Sequence, residues 1–176
     1  MDLLLSLFND FGGYGPILLL FLSWFLLWNN SNLFFYYTLG VFIDNITNLI
    51  LKGILQQPRP NEDLKKFQLA LTHGKRFIFK NGMPHDIFGM PSGHSQSSLY
   101  STTFIYLALR EKKWLYIYLL ISLITMSQRV SFNYHTIIQV IAGASVGIGV
   151  GYLMYNFGRE KIKGKIEEKP DDNGPI

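Results

Sequence analysis

The sequence predicts an all-α fold, a multi-pass transmembrane helix bundle with about five spanning helices. Three features carry that expectation. Charged residues make up only 16% of the 176 positions, against 48% hydrophobic. A water-soluble domain carries about 25% charge. The charges crowd into 65–80, 110–113 and 159–172 and leave long stretches almost bare. Those stretches approach the roughly 20 apolar residues that cross about 30 Å of hydrocarbon. They are apolar all round rather than along one stripe, which argues against a soluble bundle.

The first span is expected at 11–28, with residues 3–8 lying on the membrane surface. No Lys or Arg precedes this run, and 3–8 is too short for the apolar region of a cleaved signal. The second span is expected at 33–55 and the third at 92–109. The fourth, 114–126, is short unless it continues to 132. The fifth is 136–157. Trp24, Trp28 and Trp114 fall near segment ends, as interfacial anchors do. Gly143, Gly147 and Gly151 recur every fourth residue, so a neighbouring helix can approach closely there. In the long connection 56–91, Leu64, Phe67 and Leu71 have helical spacing and predict a surface helix over 63–72. Asn81-Gly82 predicts a turn. Residues 1–160 thus form one membrane domain whose connection 56–91 borders a site, and 161–176 form a charged, disordered tail. The absence of cysteine excludes disulfides, zinc–thiolate centres and thiol nucleophiles.

Connectivity imposes a parity. The end of the second span and the start of the third share one membrane face, as do the end of the fourth and the start of the fifth. Lys52 and Arg59-Pro60 stand at the first junction, with Pro91-Ser92-Gly93-His94 opening the third span. Arg129 and His135 stand at the other junction. A lone cation at a helix end is an ordinary snorkelling anchor, and a lone histidine is ordinarily structural. Their convergence on one face marks a site, because ionisable groups against apolar helices are costly.

Each group suits a phosphate. Lys52, Arg59 and Arg129 offer charge and forked donors. Pro91-Ser92-Gly93 opens a helix whose free N–H groups attract an anion. Gly93 admits that anion to the backbone, and the Ser92 hydroxyl adds a donor. Two histidines can divide phosphoryl transfer, one attacking phosphorus and one protonating the leaving group. His73 and His85 lack such company and read as loop residues.

The segment Lys52-Gly53-Ile54-Leu55-Gln56-Gln57-Pro58-Arg59-Pro60 resembles the first motif, K-x6-R-P, of the type 2 phosphatidate phosphatase superfamily. Pro91-Ser92-Gly93-His94 is similar to its P-S-G-H motif, and Arg129-x5-His135 to the core of S-R-x5-H-x3-D. The resemblance implies that His135 is the nucleophile, forming a phosphohistidine, and His94 the general acid. It implies that Lys52, Arg59, Ser92, Gly93 and Arg129 hold the phosphate, with no metal and no cofactor.

Two positions depart from that pattern. Gln128 stands where the motif has serine, and Gln139 where it has the aspartate that orients the nucleophile. Positions 135 and 139 share a helix face. A glutamine carbonyl accepts the imidazole N–H but supplies no negative charge. The stretches Gly89-Met90-Pro91-Ser92-Gly93-His94-Ser95-Gln96 and Tyr134-His135-Thr136-Ile137-Ile138-Gln139-Val140 resemble the dolichyl-diphosphatase branch, where glutamine is the ordinary orienting residue. The chemistry agrees. Cleaving a diphosphate expels a phosphate monoester with a second pKa near 6, while cleaving a monophosphate expels a far more basic alkoxide.

The expected substrate is therefore a polyprenyl diphosphate, hydrolysed to the monophosphate and phosphate, with membrane lipids as the surroundings. A broad phosphatidate phosphatase and a non-catalytic lipid-binding relict are the alternatives. A vanadium haloperoxidase and a nucleic-acid binder fit poorly. Asp44, Asn48 and Lys52 lie on one stripe of the second span, which favours an interhelical hydrogen-bond ladder over a catalytic role for Asp44. Parity puts the N-terminus on the site's side. The basic residues Arg110, Lys112, Lys113, Arg159, Lys161, Lys163, Lys165 and Lys169 on the other side favour a cytoplasmic C-terminus. The site would then be lumenal or external, in an endoplasmic reticulum setting.

Overall fold

A computed structural model describes residues 3–80 and 82–163. Its element order is α1 (Leu3–Leu27), α2 (Ser31–Leu55), α3 (Leu64–Thr72), β1 (Phe77–Lys80), β2 (Met83–Asp86), α4 (Gly93–Leu109), α5 (Lys112–Ser131) and α6 (Ile137–Lys163). Helices α1, α2 and α6 are each long and apolar enough to cross a membrane. Their outer faces carry exposed Phe, Leu and Ile, for example Phe25, Phe42, Ile54 and Ile141. Lipid is the solvent that such a surface fits.

Helix α4 is shorter and more polar because it runs through the middle of the bundle. Ser95, Ser101 and Thr102 are buried there, and buried hydroxyls must find partners away from water. Thr102 Oγ1 lies 2.9 Å from Ser122 Oγ of α5, and Ser101 Oγ lies 2.8 Å from the Tyr37 hydroxyl of α2. Helix α6 lies along α4 on its glycine stripe. A Cβ at Gly143 or Gly147 would overlap the carbonyl oxygens of Ser92 and Gln96, and one at Gly151 would sit 2.8 Å from that of Tyr100. The predicted spacing therefore sets a backbone-to-backbone approach. Tyr37, Tyr100 and Phe104 fill the core beside it, with ring centroids 5.3–6.2 Å apart.

Two expectations are corrected. Residues 3–8 are the first turns of α1 rather than a separate surface segment. Gly12 and Gly15 let this helix press against Gln128 and Thr125 of α5. The connection also holds a hairpin that periodicity does not reveal. Strands β1 and β2 are antiparallel, with Phe77 opposite Asp86 and Lys80 opposite Met83. Asn81 lies outside the described residues, and Gly82 takes the positive φ of 77° that a tight hairpin turn uses. His85 sits in β2 and His73 caps α3. The surface helix forms as α3, with the Asp63 carboxylate accepting from the N–H groups of Lys65 and Lys66. Of the tail, 161–163 continue α6, while 164–176 lie outside the described residues.

Candidate active site

The three junction segments are joined by direct hydrogen bonds. Helix α2 ends because Gln56 turns into the left-handed region (φ 46°), its N–H on the Lys52 carbonyl at 2.9 Å. That leaves Lys52 in the last turn at the membrane face, 6% exposed. The chain then runs beside the end of the connection. Gly89 N–H donates to the Gln57 carbonyl at 2.7 Å, and Pro58 bridges to Phe88. Helix α4 opens with Ser92 as its N-cap, and Ser92 N–H donates to the Gln139 carbonyl at 2.9 Å. The Gln139 side chain closes the ring, Nε2 donating to the Pro58 carbonyl at 2.9 Å.

This ring defines His135. Beyond α5 the chain turns through Asn133 (φ 54°), and the N–H groups of Tyr134 and His135 both return to the Arg129 carbonyl. His135 Nδ1 then lies 3.2 Å from Gln139 Oε1, which also accepts the Thr136 N–H at 3.2 Å. A backbone donor at one end of the amide and a backbone acceptor at the other fix which atom is oxygen. Nδ1 of His135 must therefore carry the proton, and Nε2 keeps its lone pair. Gly89 makes room for this: a Cβ there would lie 2.8 Å from both polar atoms of the Gln139 amide. Burial, reinforced by the charges of Arg59, Lys52 and Arg129 and opposed by the Gln139 bond, pushes the His135 imidazole down to about 3. That shift favours the uncharged ring.

The cations share one neighbourhood. Arg129, 9% exposed, stacks over the Tyr134 ring at 5.0 Å. Arg59 Nε donates to the Asp86 carbonyl at 3.2 Å. Burial pulls the Arg59 guanidinium below its ordinary value, against the pull of Asp86 and Glu62. Lys52, Arg59 and Arg129 act electrostatically on both His94 and His135, Arg129 most strongly on His94 and Arg59 most strongly on His135. His94, in the first turn of α4, meets the backbone of Gly13 in α1. Gly93 packs on α2, where a Cβ would lie 3.3 Å from Asn48 Oδ1. Ser92 is fully buried, its Oγ accepting from Ser95 Oγ at 3.1 Å.

Sequence reasoning missed Asp86. Its carboxylate lies 3.5 Å from Lys52 Nζ and binds Arg76 at 3.0 and 3.3 Å, while Oδ1 accepts the Phe88 N–H. Burial alone would raise this carboxyl, but the Arg76 bonds and the Lys52 charge outweigh it and hold it below the usual range. The available signal was its isolation, as no other acidic residue stands between Asp63 and Glu111. The part played by α1 was missed too: Gln128 Nε2 donates to Asn9 Oδ1 at 2.7 Å. Asp44 behaves as the ladder reading expects. It accepts from Gln96 at 2.9 Å and Ser97 at 3.1 Å, and Gln96 accepts from Asn48 at 2.8 Å.

Comparison with known proteins shows the family and the fold. The family model of the PAP2 superfamily matches residues 33–163. A dolichyldiphosphatase of Saccharomyces cerevisiae is 29% identical over 163 residues, covering 86% of this chain and 63% of the relative. The chain therefore spans less than two thirds of that curated relative's length. The crystal structure of Aquifex aeolicus LpxE superposes with a TM-score of 0.65 at 22% identity, covering 89% of this chain and 87% of that one. A transmembrane PAP2-type phosphatidylglycerolphosphate phosphatase from Bacillus subtilis gives 0.62 at 21% identity, covering 93% and 80%.

Proposed function

This chain is an integral membrane protein that belongs to the PAP2 superfamily, and from that premise we propose that it hydrolyses a polyprenyl, dolichyl-type diphosphate to the monophosphate and inorganic phosphate. His135 Nε2 attacks the terminal phosphorus, forming an N–P bond as the P–O bond to the bridging oxygen breaks. His94 delivers a proton to that oxygen. Water then cleaves the phosphohistidine. Lys52, Arg59, Arg129, the Ser92 hydroxyl and the Gly93 N–H hold the transferred phosphoryl oxygens, whose charge they offset in a site with little water. The tail stays in the bilayer while the head enters the cationic pocket.

The observation that carries the reading is the Gln139 amide, locked between Thr136 N–H and the Pro58 carbonyl with its oxygen on His135. It fixes the tautomer without adding charge. A neutral orienting group suits an anhydride, whose leaving phosphate has a second pKa near 6, better than an ester that must expel an alkoxide. The likeness to the yeast dolichyldiphosphatase supports the same class. The charge asymmetry favours a lumenal or external site in the endoplasmic reticulum membrane. Phosphate release from a panel of lipid phosphates tests the reading, with His135→Ala as control. Prenyl diphosphate should be the faster substrate. Faster phosphatidate hydrolysis would overturn the substrate class, and unchanged turnover in His135→Ala would leave only a lipid-binding role.

A further inference from the structure

A cleft of about 260 Å³ adjoins the pocket where the first turns of α1 meet the end of α5. Asn9, Asp10 and Gly13 line it from α1, Gln128 and Arg129 from α5, and Tyr134 from the turn beyond. Two buried polar atoms of these lining residues have no hydrogen-bond partner among the described residues, Gln128 Oε1 and Arg129 Nε. Gln128 is 1% exposed and Arg129 9%. Leaving such atoms unpaired is costly, so a ligand entering the cleft gains by offering one donor and one acceptor as these side chains turn to it. Gln128 is also the residue that departs from the family's serine. Its side chain reaches across to Asn9, and that bond occupies Nε2 and leaves Oε1 without a partner among the described residues.

We propose that this cleft is the subsite for the leaving phosphate, the lipid-linked hydrogen phosphate produced when the terminal phosphoryl group moves to His135. This rests on the diphosphatase reading. In an in-line displacement the leaving oxygen departs on the side opposite the nucleophile. That side belongs to His94, which meets Gly13 and feels Arg129 most strongly, and both residues line the cleft. Once His94 has given its proton to the bridging oxygen, the departing group carries P–O⁻ and P–OH. The oxyanion accepts from Arg129 Nε, and the hydroxyl donates to Gln128 Oε1. Asp10, exposed at the rim, repels a second negative charge. The product loses its remaining proton near pH 6, so the dianion that forms at neutral pH is expelled. An alcohol leaving from phosphatidate offers one hydroxyl on an apolar body and has no charge to match Arg129.

Asn9→Asp and Gln128→Ser test this in the purified full chain. The first keeps the acceptor that Gln128 uses while adding a negative charge. The second restores the family's serine and removes Oε1. Each should lower kcat/KM for farnesyl diphosphate about tenfold and leave phosphatidate hydrolysis within about twofold, the scale of one hydrogen bond to a charged group. Product inhibition separates the two sources of phosphate. Inhibition by farnesyl phosphate should weaken about tenfold, with inhibition by inorganic phosphate unchanged. Equal losses on both substrates, no loss on either, or parallel weakening by inorganic phosphate would overturn the subsite while the diphosphatase reading stands. A wild type that prefers phosphatidate overturns both.

Discussion

The two histidines of the cationic pocket are held in different ways. His135 is 3% exposed, its ring bonded to Gln139 and its backbone to Arg129. His94 is half-buried and meets a single backbone segment of α1. The contrast matches the two tasks proposed for them. A nucleophile benefits from one tautomer and one orientation, which a rigid surround supplies. An acid must recover its proton between turnovers, and partial exposure gives water a route to it.

The largest effect that would break this comparison comes from His94. Its replacement by Asn should slow phosphatidate hydrolysis by about 10⁴-fold but prenyl diphosphate hydrolysis by only about 10²-fold, the two ends of the range for general acid catalysis. Equal losses would mean that leaving-group basicity does not govern the site. Next comes Gln139→Leu, which frees the His135 ring to adopt either tautomer. Turnover of prenyl diphosphate should fall about tenfold to a hundredfold, the scale of a buried hydrogen bond to a group that becomes charged. Steady-state kinetics on both substrates checks each case.

The smallest effect separates pocket structure from chemistry. Asp86 holds Lys52 and Arg76 with a carboxyl kept below its usual range. A depressed carboxyl contributes stability that is complete above its unfolded pKa, near 4, and is lost as pH falls through the folded value. Asp86→Asn should lower the thermal midpoint in detergent at pH 7, by about 1–3 kcal/mol of stability. As pH falls below about 4 the gap should shrink, and it should close once pH passes below the folded value. A gap that stays constant across pH would show that Asp86 contributes by packing alone.

What could be read from the sequence was whatever recurs locally or sits at helix ends. Lys52, Pro91–His94 and Arg129–His135 were placed together because connectivity dictates which ends share a face. Gly143, Gly147 and Gly151 announced the α4–α6 contact because a fourfold spacing falls on one helical stripe. The misses depend on contacts between distant segments. Nothing near Asn9 or Gly13 signals that α1 will lean on α5. The strand Met83–Asp86 contains Pro84 and has no alternating apolar pattern, so its pairing appears only once Phe77–Lys80 lies beside it. Asp86 gains its meaning from Lys52 and Arg76, which the fold brings to it.

Trapping the covalent intermediate tests the central claim most directly. The protein is mixed with prenyl diphosphate carrying ³²P in the terminal phosphate and quenched within one turnover. The label should appear on His135 as an acid-labile, base-stable phosphoramidate and be absent from His135→Ala. Label on His94, or full turnover in His135→Ala, would contradict the account.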